Sequence, residues 1–202
     1  VLNTFKSLQK LGVKIIKKGS NYEVFGIGGA FQSPKRELNL GNSGTGVRLM
    51  IGMLASRNVI AKFKGDKSLT KRPMLRILKP LKKLGACIEH KNGLLPLEVR
   101  KSDFLLPSTI NETIGSAQVK SAVILAALNI IGTTVINEKV PSRNHSEILL
   151  DYLGANLKIV SVKTGKRIQI NGPIILHSKN IVIPGDFSSA SFLIVACLLC
   201  KN

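Results

Sequence analysis

The chain has 202 residues, of which 44% are hydrophobic and 20% charged, and it carries a formal net charge of +19 with a pI near 10.2. This composition excludes a disordered chain and supports one good core, while the positive charge favours anionic partners. The longest apolar runs fall well short of the roughly 20 residues that a membrane-spanning helix needs, so no membrane segment is predicted.

The first half of the chain predicts two amphipathic helices and, between them, one apolar helix. The first amphipathic helix (FKSLQKLG) ends at Gly12 and is followed by a strand (VKIIKK). A glycine-rich run at 41–48 (GNSGTGVR) leads into an apolar helix expected over 47–55. The second amphipathic helix (LRILKPLKKLGA) begins after Pro73, ends at Gly85 and precedes a strand (CIEHKN). Glycine after the last apolar residue is the usual left-handed stop of a helix.

The second half repeats this order. An apolar helix follows Ser116, a third amphipathic helix (EILLDYLGA) ends at Gly154 before a strand (LKIVSV), and a strand before Pro184 leads to a last apolar helix. The helix starts are evenly spaced, because Ser116 lies 72 residues after Gly44 and Ser188 lies 72 residues after Ser116. The chain is therefore predicted to have an α/β fold built from copies of a unit of about 70 residues.

The stretch from 40 to 73 combines two features that suit an anion. Gly41, Gly44 and Gly46 precede a helix start, where we expect free backbone amides to face an incoming oxyanion. Arg72 offers a planar guanidinium that can hold phosphate or carboxylate with two hydrogen bonds. The alternative is a glycine-rich turn beside a basic solvated loop. The sequence thus favours a site for a phosphate or carboxylate in this stretch.

Five motifs give the chain a resemblance to the 5-enolpyruvylshikimate-3-phosphate synthases, and above all to their bacterial class II branch. They are LGNSGTGVRLMIG, GDKSLTKRPMLRILKPLKKLGA, IGSAQVKSAVILAALNIIGTTVI, VPSRNHSEILLDYLGANL and VIPGDFSSASFLIVA. The resemblance implies an inside-out α/β barrel-like domain of repeated βαβαββ units, with substrates bound between two domains. Residues 1–181 would form most of one domain, with its first unit incomplete. Residues 182–202 would cross into the second domain and form its first helix, so both ends look like cuts through a repeat.

The resemblance also implies an activity and a set of binding residues. The activity is transfer of the enolpyruvyl group of phosphoenolpyruvate to the 5-hydroxyl of shikimate 3-phosphate, with release of phosphate, in the synthesis of chorismate and aromatic amino acids. No metal or other cofactor is implied. The phosphoenolpyruvate-binding residues of the family fall on Gly44, Arg72 and Gln118. The shikimate 3-phosphate-binding residues fall on Ser116, Ala117, Gln118, Ser142 and Arg143.

Two of these residues also have purely structural explanations. Ser116 stands where a helix N-cap is expected, and its side chain can serve that role alone. Arg143 stands four residues before Glu147 and can be its ion-pair partner on a helix surface. Both alternatives stay open at the level of the sequence.

Three further polar residues are expected to have structural rather than catalytic roles, and a fourth is expected to be solvated. Asn42 and Thr45 are expected to shape the glycine-rich loop, although both are kept as weaker candidates for the binding site. Asp186 is a third such candidate, and a cap on the last helix is its simpler role. Lys120 is expected to be solvated.

The cysteines and histidines indicate a reducing compartment and no metal site. Three cysteines are an odd number in a chain with no signal peptide, which favours reduced thiols and a cytoplasmic location. Cys197 and Cys200 lie inside an apolar run, and we expect them to be buried structural thiols. The three histidines have no metal-ligand spacing.

No acid or base for proton transfer can be assigned in this chain. The family's Lys-Ser…Arg motif and its later acidic and basic residues have no counterpart here, so the catalytic residues are unknown. The 202-residue chain alone is therefore predicted to be inactive, and the full-length protein to be a monomeric enzyme. Gly44 retains the small residue that the family associates with glyphosate sensitivity, and Ser43 stands where many members have alanine. Inhibition of the full-length enzyme by glyphosate is expected.

Two other functions remain open on the sequence alone. The UDP-N-acetylglucosamine enolpyruvyl transferases share the fold and the donor but use a loop cysteine, and none of Cys87, Cys197 and Cys200 lies in a glycine-rich loop. A basic RNA-associated repeat domain would explain both the charge and the repeat. Against it, the positive residues are scattered, and the seven Phe and two Tyr form no base-stacking stripe, so no nucleic-acid partner is predicted.

Overall fold

The structure, a computed structural model, describes residues 1–200. Within this range the α-helices follow the order that the sequence predicts, with a short 3-10 helix at Leu69–Lys71. The helices are α1 (Leu2–Lys10), α2 (Gly44–Leu54), α3 (Leu75–Lys83), α4 (Ala117–Ala127), α5 (His145–Tyr152) and α6 (Phe187–Leu199). The strands are β1 (Lys14–Lys18), β2 (Asn21–Phe25), β3 (Leu38–Asn39), β4 (Ala61–Lys64), β5 (Cys87–Lys91), β6 (Leu94–Arg100), β7 (Thr109–Glu112), β8 (Gly132–Glu138), β9 (Lys158–Val162) and β10 (Gly165–Gly172).

Two units of the fold share one topology. The first runs β3, α2, β4, α3, β5, β6 with sheet order β3-β4-β6-β5, and the second runs β7, α4, β8, α5, β9, β10 with sheet order β7-β8-β10-β9. In each sheet the first two strands are parallel and the other pairs are antiparallel. β1 and β2 form a separate antiparallel ribbon, as the last strands of an incomplete unit would. The predicted βαβαββ repeat is confirmed, and closure of the sheets into a barrel-like domain stays a prediction.

The three amphipathic helices end at the predicted glycines. Gly12, Gly85 and Gly154 have φ values of 98°, 89° and 91°, a region that side chains with a Cβ rarely enter. The amide after each glycine donates to the carbonyl five residues before it, at 3.0, 3.1 and 2.9 Å. At Gly85 an added Cβ would also lie 2.0 Å from the carbonyl oxygen of Phe104. These stops turn the chain directly into β1, β5 and β9.

A glycine lets the backbones of α2 and α4 touch. A Cβ on Gly52 would lie 2.4 Å from the carbonyl oxygen of Ala122 and 2.6 Å from its Cα. The residues around this contact, such as Ile51 and Val123, are fully buried in one apolar core that spans both units. The contact therefore brings the two apolar helices of the repeat close together and places their first turns side by side.

Helix α2 begins three residues earlier than the sequence predicts. Its first residue is Gly44 rather than 47, because Ser43 is its N-cap and accepts a hydrogen bond from the Gly46 amide at 3.0 Å. A Cβ on Gly46 would lie only 2.7 Å from Ser43 Oγ. The glycine-rich run is thus the first turn of the helix as well as the loop before it.

The last helix makes no buried contact in the described part of the chain. Asp186 caps it by accepting from the Ser188 amide at 3.0 Å, as expected, but the strand predicted before Pro184 is absent, since 174–186 has no regular structure. No residue of α6 is buried, so the prediction of buried thiols at Cys197 and Cys200 is wrong, and both are free and exposed. Across residues 1–200, no helix combines the length and apolar character that crossing a membrane requires.

The Gly85 stop gives the first prediction. Gly85→Ala adds a side chain at positive φ and drives it into the Phe104 carbonyl, so we expect a loss of more than about 1 kcal/mol of stability. Gly19→Ala is the matched control, because Gly19 has φ 61° but open space around it. Thermal unfolding of the full-length protein should show the larger decrease in Tm for Gly85→Ala. Equal decreases would contradict a role for the Phe104 contact.

Candidate anion-binding site

A small cleft lies between the first turns of α2 and α4 and the segment that precedes α3. Its volume is about 230 Å³, and it is lined by Arg48, Arg72, Pro73, Arg76, Ser116, Gln118 and Val119. Of the predicted binding residues, the cleft unites Arg72, Ser116 and Gln118. Gly44 lies at its edge, since a Cβ there would be 3.1 Å from Arg72 Nη1. Ala117, Ser142 and Arg143 do not line it.

The backbone amides of the three glycines in the glycine-rich run are not free to bind an anion. The Gly41 amide donates to Asn39 Oδ1 at 3.0 Å, and the Gly44 amide donates to the Asn42 carbonyl at 3.1 Å. The Gly46 amide is taken by the N-cap hydroxyl. The predicted cradle of amides is therefore wrong for these three glycines, and the charged donors that line the cleft are arginine side chains.

Arg48 connects three parts of the cleft, and the sequence analysis missed it. Its Nη1 donates to Gln118 Oε1 at 2.8 Å, and its Nη2 donates to the Pro73 carbonyl at 3.1 Å. Partial burial lowers the pKa of Arg48, and the charges of Arg72 and Arg76 lower it further. One feature of the sequence could have indicated a role for Arg48: it is the single charged residue of an otherwise apolar helix, and it stands one turn, four residues, after Gly44.

Gln118 is held at both ends of its amide group. Its Oε1 accepts from Arg48, and its Nε2 donates to Thr45 Oγ1 at 2.8 Å. The side chain thus bridges the first turns of α2 and α4 and keeps one amide hydrogen for a ligand. Thr45 acts on the cleft through this bond, in agreement with its expected structural role.

Arg72 is held by a chain of hydrogen bonds that starts at Asp66. Asp66 Oδ2 accepts from Asn42 Nδ2 at 2.8 Å, and the carbonyl oxygen of the Asn42 side chain accepts from Arg72 Nη2. Arg72 Nη2 also donates to Ser68 Oγ at 3.3 Å. The hydrogen bond from the Leu69 backbone amide lowers the pKa of Asp66, and the hydrogen bond from Asn42 and the charge of Arg72 lower it further. Asp66 is therefore ionised at neutral pH. Asn42 shapes the loop, as expected.

Three arginines face the cleft without a carboxylate partner. Among the ion pairs of residues 1–200, none includes Arg48, Arg72 or Arg76. Like charges held this close repel one another, so an anion bound between them would relieve the repulsion. Guanidinium groups suit phosphate and carboxylate in particular, because they present two parallel donors. The cleft thus has the charge and the hydrogen-bond donors that suit a small, multiply charged anion.

Ser116 is the N-cap of α4, and a carboxylate holds the loop in front of it. Ser116 Oγ accepts from the Val119 amide at 3.4 Å, so the structural alternative for this residue is observed. Its hydroxyl hydrogen is still available to a ligand in the cleft. Glu112, which is 5% exposed, accepts from the amides of Ile114, Gly115 and Ser116 at 3.2, 2.7 and 3.3 Å. The amides of Ile114, Gly115, Ser116 and Val119 are therefore occupied.

The ion-pair alternative for Arg143 is wrong, and so is the solvated position of Lys120. Glu147 is buried and pairs at 2.7 Å with Lys120, whose side chain is only 1% exposed. Arg143 is exposed, and no ion pair or side-chain hydrogen bond holds it within residues 1–200.

Ser142, the other predicted binding residue of this loop, is held by Glu138. Its amide donates to Glu138 Oε1 at 3.0 Å, and its hydroxyl donates to the same oxygen.

The described part of the chain contains no cluster of metal ligands. Within 1–200, no three His, Cys, Asp or Glu side chains come close enough together to hold a metal ion. Asp186 bonds locally, to the amide of Ser188 and the hydroxyl of Ser189 at the start of α6, and does not line the cleft.

Comparison with known proteins gives one consistent result. The family model described as EPSP synthase (3-phosphoshikimate 1-carboxyvinyltransferase) matches residues 1–202. The 3-phosphoshikimate 1-carboxyvinyltransferases of Bradyrhizobium diazoefficiens and Streptococcus gordonii are 45% and 43% identical, over 100% and 98% of this chain. The alignments cover 44% and 46% of those relatives, so the chain spans less than half their length. EPSP synthase from Acinetobacter baumannii superposes with a TM-score of 0.85 at 35% identity, covering 96% of this chain and 44% of that one.

The carboxylate in front of α4 gives the second prediction. Glu112→Ala removes the acceptor of three backbone amides, so we expect a loss of at least about 2 kcal/mol of stability. Glu112→Gln keeps one acceptor oxygen and should lose less. Thermal unfolding of the full-length protein measures both variants. A Glu112→Ala protein as stable as the wild type would show that these amides do not depend on Glu112.

Proposed function

The chain belongs to the EPSP synthase family, and we propose that the full-length protein containing it transfers the enolpyruvyl group of phosphoenolpyruvate to the 5-hydroxyl of shikimate 3-phosphate. The observation that carries the proposal is the cleft in which three unpaired guanidinium groups and Gln118 converge. Both proposed substrates are polyanions, and such a cleft offsets the repulsion between them. The residues of this chain would supply one side of the site.

On the donor side, Arg72 and Gln118 are proposed to hold phosphoenolpyruvate. Arg72 would present two parallel N–H groups to its phosphate or carboxylate, and Gln118 would donate its remaining amide hydrogen. Arg48 would orient Gln118 through their 2.8 Å bond, and it adds positive charge beside the ligand. Gly44 leaves room for the guanidinium groups of both arginines.

On the acceptor side, Ser116, Ala117, Gln118, Ser142 and Arg143 are proposed to bind shikimate 3-phosphate. Ser116 can cap α4 and still donate its hydroxyl hydrogen to a phosphate oxygen. The hydroxyl of Ser142 is donated to Glu138, so it must turn away from Glu138 to donate to a phosphate. Arg143 has its donors available, and a phosphate is the kind of ligand they match.

The proposed reaction needs groups beyond those that this chain supplies. A base takes the proton of the 5-hydroxyl as its oxygen attacks C2 of phosphoenolpyruvate, and an acid protonates C3; the tetrahedral intermediate then loses phosphate, and C3 loses a proton to restore the double bond. The positive cleft would hold the departing phosphate and stabilise the charged intermediate. The acid and the base are proposed to lie outside these residues, in a monomeric, cytoplasmic protein whose second domain starts near residue 182.

Phosphate release tests the proposed function. We expect the full-length protein to release phosphate only when both substrates are present, and not when UDP-N-acetylglucosamine replaces shikimate 3-phosphate. The 202-residue chain alone should release none, because the acid, the base and the other side of the site are proposed to lie outside these residues. A full-length protein without turnover would refute the function. Appreciable turnover by the 202-residue chain would refute the placement of the catalytic groups.

Gly44 gives a test of the donor side. Gly44→Ala places a Cβ 3.0 Å from Arg48 Nη1 and 3.1 Å from Arg72 Nη1, so both guanidinium groups must shift. We expect KM for phosphoenolpyruvate to rise about tenfold and inhibition by glyphosate to weaken at least as much. Gly26→Ala is the control, because a Cβ there meets nothing within 4 Å. Wild-type activity that persists at millimolar glyphosate would contradict the expected inhibition, and unchanged kinetics in Gly44→Ala would contradict the donor-side assignment.

A further inference from the structure

A buried charged cluster lies outside the cleft. Lys120 Nζ contacts Glu147 Oε1 at 2.7 Å, Glu138 Oε1 at 3.1 Å and Glu138 Oε2 at 3.3 Å. The three side chains are 1%, 3% and 0% exposed and come from α4, α5 and the end of β8. Charges without water are costly unless they are paired and hydrogen-bonded, so the cluster fixes the relative position of these three elements tightly.

The cluster also holds the loop between β8 and α5. Glu138 Oε1, one of the oxygens that contacts Lys120, accepts from both the amide and the hydroxyl of Ser142. A second link joins α4 to α5, since the hydroxyls of Ser121 and Ser146 lie 2.6 Å apart. Ser142 and Arg143 therefore sit on a loop whose position is set from α4, the helix that carries Gln118 in the cleft.

The first unit has a related arrangement at the equivalent position. Asp66 lies 72 residues before Glu138, and it holds the loop that carries Arg72. Asp66 stands two residues after β4, and Glu138 is the last residue of β8. In both units a carboxylate at or just beyond the end of the second strand thus holds the loop before an amphipathic helix. The second unit differs in that its carboxylate is buried and paired with a lysine.

We propose that Lys120 and Glu138 are positioning residues for the acceptor side of the site: they act through Ser142 and Arg143 and touch no substrate. The inference rests on the proposed function, because it assigns these two loop residues to shikimate 3-phosphate. It predicts an asymmetry between the two substrates. Loss of the cluster displaces the acceptor loop, whereas the donor residues Arg72 and Gln118 keep their own hydrogen bonds.

Steady-state kinetics of the full-length protein test the proposal. Glu138→Gln keeps the size of the side chain but removes its charge, and we expect KM for shikimate 3-phosphate to rise about tenfold or more while KM for phosphoenolpyruvate changes less than about twofold. In a Ser142→Ala background the hydroxyl bond to Glu138 is already lost and only the amide bond remains, so the same change should add less than it does in the wild type. Glu138→Asp, which keeps the charge but shortens the reach, should raise the same KM and serves if the Gln variant does not fold.

Ile168→Val controls for stability alone. Ile168 is fully buried on β10 beside the strand that carries Glu138, and the truncation should lower Tm without a selective effect on either KM. Unchanged KM values in a folded Glu138 variant, or an equal rise in both, would overturn the positioning role. Effects of Glu138→Gln and Ser142→Ala that simply add would also overturn it. A wild-type protein without turnover would instead refute the proposed function.

Discussion

The contact between α2 and α4 at Gly52 is the constraint on which the rest of the site depends. With no Cβ at Gly52, the two helix backbones touch at Ala122, and their first turns lie side by side. Only at this separation can Arg48 and Thr45 of one helix reach the two ends of the Gln118 amide on the other, both at 2.8 Å. The packing of the two helices in the core therefore also determines the geometry of the cleft, because a wider spacing between the helices would break both hydrogen bonds.

The distribution of acidic residues explains how a basic chain keeps a strongly positive cleft. The chain has 30 Lys and Arg against 11 Asp and Glu, and several of the acids are used to hold loops. Asp66, Glu112 and Glu138 each follow or end a strand and accept backbone amides of the next segment. They position the residues proposed to bind substrate without neutralising the arginines of the cleft, which stay available to an anion.

The sequence predicts the repeat and the helix ends well because local rules decide them. Gly12, Gly85 and Gly154 stop their helices by backbone geometry alone, and a regular spacing of 72 residues needs no tertiary information. What depends on contacts distant in sequence was missed. Arg48 looked like part of a buried helix because its partner Gln118 is 70 residues away.

Lys120 was missed for the same reason, since its burial depends on carboxylates from two other elements. The predicted cradle of free amides is not formed, because the Gly41 and Gly46 amides donate to the nearby oxygens Asn39 Oδ1 and Ser43 Oγ.

We infer above all that the α2–α4 contact builds an anion site from arginines. A crystal structure of the full-length protein with shikimate 3-phosphate and glyphosate tests it most directly. We expect glyphosate oxygens within about 3 Å of the Arg72 guanidinium, with Gln118 still bonded to Arg48. An anion bound away from this cleft, with Arg72 still on Asn42 and Ser68, would contradict it.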